Sequence, residues 1–253
     1  MTLLKEGLIV VLGVLVPALV GSFVAFKLTP PRFRQACRAD ADPVWAIAGG
    51  AFGLLLGFMV VTLWQDLVAA DDTVQAEATD LVNLFELAGG LPEGARVPAR
   101  AAIVDYTRLL VDDEWEKLGR HERSPLAENA VKRLWSGYLA LEPSLGRTND
   151  SYAESLRRMQ DLQGARNRRL DAAESVVPSP LWIVLIGGVA IMIVLMWFTG
   201  AEHLGSELVM TAVLAISLAS ILFLVRVFNN PFQGSVRADQ DPMVNALRYF
   251  EER

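Results

Sequence analysis

The stretch Val44–Ala88, VWAIAGGAFGLLLGFMVVTLWQDLVAADDTVQAEATDLVNLFELA, decides the fold. Its first part, Val44 to Gln65, carries no Asp, Glu, Lys or Arg, and uncharged apolar runs of about 18 residues or more read as membrane spans. Trp45 and Trp64 stand 19 positions apart. At about 1.5 Å per residue that is roughly 28 Å, the thickness of a hydrocarbon core with a tryptophan at each interface. From Phe58 to Ala88 there is neither Gly nor Pro, so nothing local stops the helix at the membrane surface. The sequence predicts one helix that leaves the bilayer and runs to Ala88, where Gly89-Gly90 and Pro92 end it.

Three further stretches, 8–26, 181–201 and 208–225, are also free of charge. The first span is expected over about Gly7–Leu28, with Pro17 inside it. A loop over 29–43 should follow before the second span begins at Val44. The first span is too long for a signal-peptide core of about 7–15 residues and is read as retained. The third span, from Leu181, and the fourth, about Glu207–Phe228, form a hairpin around a turn at Gly200–Ser206. Four such runs exclude an ordinary soluble enzyme and a disulfide-stapled secreted domain. Cys37 is the single cysteine, so it forms no internal disulfide.

The chain of 253 residues has a net charge of −6, and 53% of it is apolar. That negative charge falls between Gln65 and Pro180, where 20 acidic face 14 basic residues; the remainder balances. No basic stripe runs along a helix there, which argues against nucleic acid as a partner. In this segment Leu67, Val74, Leu81 and Ala88 recur at intervals of seven, with Ala78 and Phe85 interleaved, the pattern of a packed helical seam. Asp71 lies on the same stripe. Further helices are expected over Val97–Leu118, from a Ser124 cap and Pro125 to Pro143, and over Asp150–Val177. The fold class is therefore an all-α integral membrane protein. It divides into spans one and two (1–64), an extramembrane four-helix bundle (65–180), a transmembrane hairpin (181–228) and a C-terminal tail (229–253).

Several residues then look familiar together: Trp64, Glu77-Ala78, Leu81, Leu84-Phe85, Gly90-Leu91-Pro92, Tyr106, Val111, Asp113-Glu114-Trp115, Leu141-Glu142-Pro143, Arg166 with Arg169-Leu170, Pro180, Trp182, and Pro231-Phe232 with Gly234. Over about 40–245 the chain resembles the bestrophin-like family of bacterial membrane proteins of unknown function. It has a more distant likeness to the bestrophins, pentameric anion channels with four spans per subunit. That resemblance implies a homo-oligomer in a bacterial plasma membrane and a second helix that lines a pore and continues into a cytosolic helical region. Leu56-Gly57-Phe58 resembles the start of the bestrophin pore helix. The polar and charged stretch that follows in bestrophins is replaced here by Met59-Val60-Val61-Thr62-Leu63-Trp64.

On the second helix, Phe58, Thr62, Asp66 and Ala69 share one face. In a ring of such helices they would give an apolar constriction, then hydroxyls, then a carboxylate ring that favours cations. The plain alternative is that Phe58 packs in a bundle and Asp66 marks the water interface. Gly49, Gly53 and Gly57 form a tandem GxxxG, suited either to packing within the chain or to a subunit contact. Asp112, Asp113, Glu114 and Glu116 surround Trp115 and read as a solvated acidic face with the indole inward. Asp112 and Glu116, four apart, could instead share a cation. Arg157, Arg158, Arg166, Arg168 and Arg169 read as partners for the acids that follow the second span, or for lipid phosphates. His121 and His203 are expected in exposed loops without zinc-ligand spacing. No catalytic constellation, metal set or cofactor motif is visible.

Orientation has two readings. Lys27, Arg32, Arg34 and Arg38 beside the first loop favour a cytoplasmic loop and an external bundle. The family likeness favours a cytoplasmic bundle. Function likewise has two readings, an ion channel lined by the second helix, or a non-conducting scaffold or sensor whose acidic bundle binds a partner. Membrane lipid, a second copy of the chain and an inorganic ion are the partners expected.

Overall fold

A computed structural model describes residues 2–141, 150–198 and 203–253. The expected helix stop at Pro143 and the turn across Gly200–Glu202 lie outside the described residues, as does the side chain of Cys37. The described residues are helical, without strands. Four of the helices are long and apolar enough to cross a membrane.

Helix α1 spans Thr2–Leu28 and α2 spans Pro31–Ala88. The loop expected over 29–43 is therefore helical from Pro31 onward. Proline at a helix start gives up an N–H that has no partner there anyway, and the Ala-, Arg- and Gln-containing run behind it holds no glycine. Pro43 lies within α2. Next come α3 (Glu93–Leu109), a wide π-turn over Leu110–Glu114, α4 (Trp115–Gly119), α5 (Pro125–Leu139) and α6 (Asp150–Glu174). The last helices are α7 (Ser179–Met196), α8 (Leu204–Phe228) and α9 (Asp241–Glu251).

The helices form two compact groups. The first holds residues 1–64 and 177–229. Its core is Ala18 of α1, Leu56 and Leu63 of α2, Leu185, Val189 and Met192 of α7, and Ala215, Leu218 and Leu222 of α8. Helices α1 and α8 pack at close range, with Thr211 donating to the Ser22 hydroxyl at 3.3 Å. Small residues make room for large ones. A Cβ at Gly21 would stand 2.3 Å from the Trp197 ring, and one at Gly188 would stand 2.2 Å from Phe52. The outer faces of this group keep Ile47, Ile183, Ile186 and Val213 exposed, as a lipid-facing surface requires.

The second group holds residues 65–176 and 230–253. The seam residues Leu67, Val74, Ala78, Leu81, Phe85 and Ala88 are all buried. Asp71 is not among them. It is exposed and accepts the Asp239 N–H at 2.9 Å, and Ala70 takes the inward position beside it. Ser124 caps α5 by accepting from the Ala127 N–H at 3.1 Å. The C-terminal residues, read from sequence as a tail, pack into this core. Met243, Ala246 and Phe250 of α9 are buried, and Phe250 stacks on Phe85 at 4.6 Å.

Candidate functional site

Two places concentrate the residues singled out in the sequence. The first is the outer side of α2. Leu56 and Leu63 turn inward in the first group. On the other side Phe58 is 65% exposed and Thr62 is exposed. In the second group Asp66 and Ala69 are exposed, while Leu67 and Ala70 are buried. The glycines divide. A Cβ at Gly49 would stand 3.0 Å from the Met192 methyl, so Gly49 packs within the chain. At Gly53 and Gly57 a Cβ would meet nothing within 4 Å among the described residues.

The second place is a buried ionic network. Glu77 enters from α2, Tyr106 from α3, Glu114 from the π-turn, and Arg166 and Arg169 from α6. All five are at most 1% exposed. Arg166 grips both oxygens of Glu114, each at 2.8 Å, and its Nη1 also donates to the Tyr106 hydroxyl at 3.1 Å. Arg169 spans two acids, with Nη2 on Glu114 Oε2 at 2.7 Å and Nε on Glu77 Oε2 at 2.5 Å. Tyr106 donates in turn to Glu77 Oε1 at 2.8 Å. Two carboxylates and two guanidiniums cancel, and planar bidentate pairing suits buried arginine. Burial alone would raise the Glu114 carboxyl, but Arg169 and Arg166 outweigh it and hold it below the usual range. Burial, with Glu77 beside it, pushes the Tyr106 phenol well above its ordinary value. For Arg169, burial opposes the charge, while Glu77 and Glu114 hold it firmly protonated.

Around Trp115 the indole is inward and Asp112 and Glu116 are exposed, as a solvated acidic face requires, and the correction falls on Glu114. Glu114 is buried; Asp113 pairs with Lys117 at 2.7 Å and accepts from the Ser124 hydroxyl; Glu116 pairs with Arg120 at 2.7 Å. The shared cation at Asp112 and Glu116 is not supported either, because Arg120 already neutralises Glu116. The physical reason is the π-turn, in which the Trp115 N–H reaches back to Leu110 O and the regular four-residue face is broken. Among the described residues no acidic, His or Cys group is arranged to hold a metal ion. Of the five arginines singled out on α6, two find acids of α2, Arg169 through Glu77 and Arg158 through Asp80 at 3.7 Å, whereas Arg166 pairs with Glu114 and Arg157 with Glu154 of its own helix.

Trp115 meets Phe232 edge to face at 5.7 Å, which ties two of the motif elements together. Pro231 accepts the Ala238 N–H at 2.7 Å, and Gly234 adopts φ +91°, a conformation that favours glycine. His203 occupies the position before α8 through its backbone alone, its carbonyl accepting the Glu207 N–H at 3.1 Å, and His121 lies in the turn after α4 with both ring nitrogens hydrogen-bonded. The shared burial of Tyr106 with four charged groups had no local sequence signal beyond the motif residues themselves.

A family model described as the Bestrophin-like domain matches residues 12–243. No curated protein matches the chain. Among solved structures, a bacterial bestrophin homologue from Klebsiella pneumoniae, phased on zinc, superposes with a TM-score of 0.71 at 13% identity. The match covers 98% of this chain and 97% of that one. A single-residue variant of a Klebsiella pneumoniae bestrophin homologue gives 0.72 at 12% identity, with 100% and 98% covered. At such identity the likeness is one of fold.

Proposed function

Since the chain belongs to the bestrophin-like family, we propose that this membrane protein assembles with copies of itself into an ion channel lined by α2. The carrying observation is the outer side of α2, where Phe58, Thr62, Asp66 and Ala69 are exposed in the single chain. A phenyl constriction, hydroxyls and a carboxylate ring are the parts from which narrow pores are built. Gly53 and Gly57, bare in the single chain, are suited to the close approach of a neighbouring helix in lipid. Asp66 makes the ring acidic, so the reading assigns a preference for cations over anions. Arg166, Arg169, Glu77 and Glu114, with Trp115, Phe232 and Gly234, hold the helical group from which α2 extends. No catalytic step is assigned. The bacterial inner membrane is the location that fits the retained spans and the family.

The experiment is reconstitution in liposomes under a KCl gradient. The wild type should show a cation-selective reversal potential, and Asp66→Asn should move it toward zero. A reversal potential unchanged by Asp66→Asn would remove Asp66 from the ion path.

A further inference from the structure

We propose that His121 is an acid-sensitive latch that holds the C-terminal segment, residues 230–253, in the helical group. The inference requires no ion flux and stands apart from the channel reading.

Helix α4 ends with two paired bonds, Glu122 N–H to Lys117 O at 2.9 Å and His121 N–H to Leu118 O at 3.0 Å. This is the left-handed helix cap, and His121 takes its left-handed position at φ +58°. Glycine is the residue that position favours, since a side chain is strained there. What histidine adds is its ring. Nδ1 stands 2.6 Å from Ala173 O at the end of α6, and Nε2 stands 3.2 Å from the Asn230 amide nitrogen.

These two partners fix the proton. A carbonyl only accepts, so Nδ1 carries the hydrogen; an amide NH2 only donates, so Nε2 must be bare. Asn230 cannot turn over to help. Its Oδ1 accepts the Phe232 N–H at 3.0 Å, and the two hydrogens of its Nδ2 go to Gly119 O at 3.1 Å and His121 Nε2 at 3.2 Å, with Gln233 Oε1 a longer sharer at 3.4 Å. Flipping the amide would set donor against donor and acceptor against acceptor. Asn230 is buried, and it leads directly into Pro231-Phe232, whose ring is buried on Trp115.

The charged groups around the ring are already engaged. Arg120 of the turn pairs with Glu116 of α4 at 2.7 Å and approaches Glu122 at 3.8 Å. Lys117 of α4 pairs with Asp113 at 2.7 Å, and Arg123 pairs with Glu174 of α6 at 2.8 Å. Asp171 of α6 acts on Arg123 as well. The strand of chain from Asn230 to Val236 carries no charge, and Arg237 follows it. A proton on Nε2 therefore points at an amide that can only donate. Histidine is the side chain that ordinarily changes charge between about pH 5 and 8, and residue 121 is exposed to water. Protonation breaks the bond to Asn230 and loosens the Pro231–Gly234 turn and the segment behind it.

The test is hydrogen–deuterium exchange of the full chain in lipid nanodiscs at about pH 7.5 and 5.5, corrected for the intrinsic rate at each pH. In the wild type, peptides covering Asn230–Ala238 should exchange about tenfold faster at the lower pH, the scale of one lost hydrogen bond. His121→Gly suits the left-handed turn and removes the ring, so its α3 and α5 peptides should stay protected and its 230–238 peptides should show no acid acceleration. Wild-type exchange unmoved by acid, or an acid response that persists in His121→Gly, overturns the proposal.

Discussion

The Arg166 guanidinium holds both oxygens of the Glu114 carboxylate, each at 2.8 Å, in the interior of the helical group. Neither side chain is more than 2% exposed. Removing one member of such a buried pair leaves an uncompensated charge, which costs about 3–5 kcal/mol. Glu114→Ala should therefore lower the unfolding midpoint in detergent far more than Glu116→Ala, whose carboxylate is exposed and worth at most about 1 kcal/mol in its pair with Arg120. Equal midpoints for the two variants would contradict the network.

The same pair sets a pH dependence. The folded protein holds the Glu114 carboxyl below its unfolded value, the arginines outweighing the opposite pull of burial. Its contribution is thus fully present above the unfolded value of about 4.3 and is lost as pH falls below it. Unfolding midpoints measured from neutral pH down to about pH 4 and below should fall for the wild type. In Glu114→Gln the midpoint should be lower at neutral pH and depend less on acid.

The glycines supply a contrast. Gly21 lies under the Trp197 ring, whereas a Cβ at Gly53 would meet nothing within 4 Å among the described residues. Gly21→Leu overpacks the membrane group and should cost about 1–3 kcal/mol in the unfolding midpoint. Gly53→Leu should leave that midpoint in place and reduce the oligomer mass measured in detergent by light scattering. An unchanged oligomer with Gly53→Leu would move the subunit contact away from this face.

Cys37 tests orientation. On the reading in which Lys27, Arg32, Arg34 and Arg38 set a cytoplasmic first loop, Cys37 lies inside the cell and a membrane-impermeant thiol reagent should not reach it. Labelling of intact cells that disappears in Cys37→Ser would reverse the assignment and place the helical group in the cytoplasm.

Sequence patterning made the membrane helices legible because charge-free runs of that length have few alternatives. The uninterrupted helix to Ala88 was legible for a related reason, the absence of Gly and Pro. The seam at Val74, Leu81 and Ala88 followed from its period. Asp71 was misplaced by a strict seven-residue count, since a helix of about 3.6 residues per turn drifts and brings Ala70 inward instead. The π-turn at Leu110–Glu114 had no local signal, and without it Glu114 reads as part of the same wet face as Asp112 and Glu116. Glu114 and Arg166 are 52 positions apart, and their union depends on tertiary packing that periodicity does not reach. Helix α9 was missed because Met243, Ala246 and Phe250 make too short an apolar stripe to stand out beside the spans.

The central claim is that α2 lines an ion path. It is tested most directly by ion flux into liposomes carrying Thr62→Cys in a Cys37→Ser background, measured before and after a charged thiol reagent. The account predicts flux well above protein-free liposomes, with block by the reagent in Thr62→Cys and none in Cys37→Ser alone. Absence of flux from correctly assembled protein, or flux that the modified Thr62→Cys leaves untouched, would contradict it.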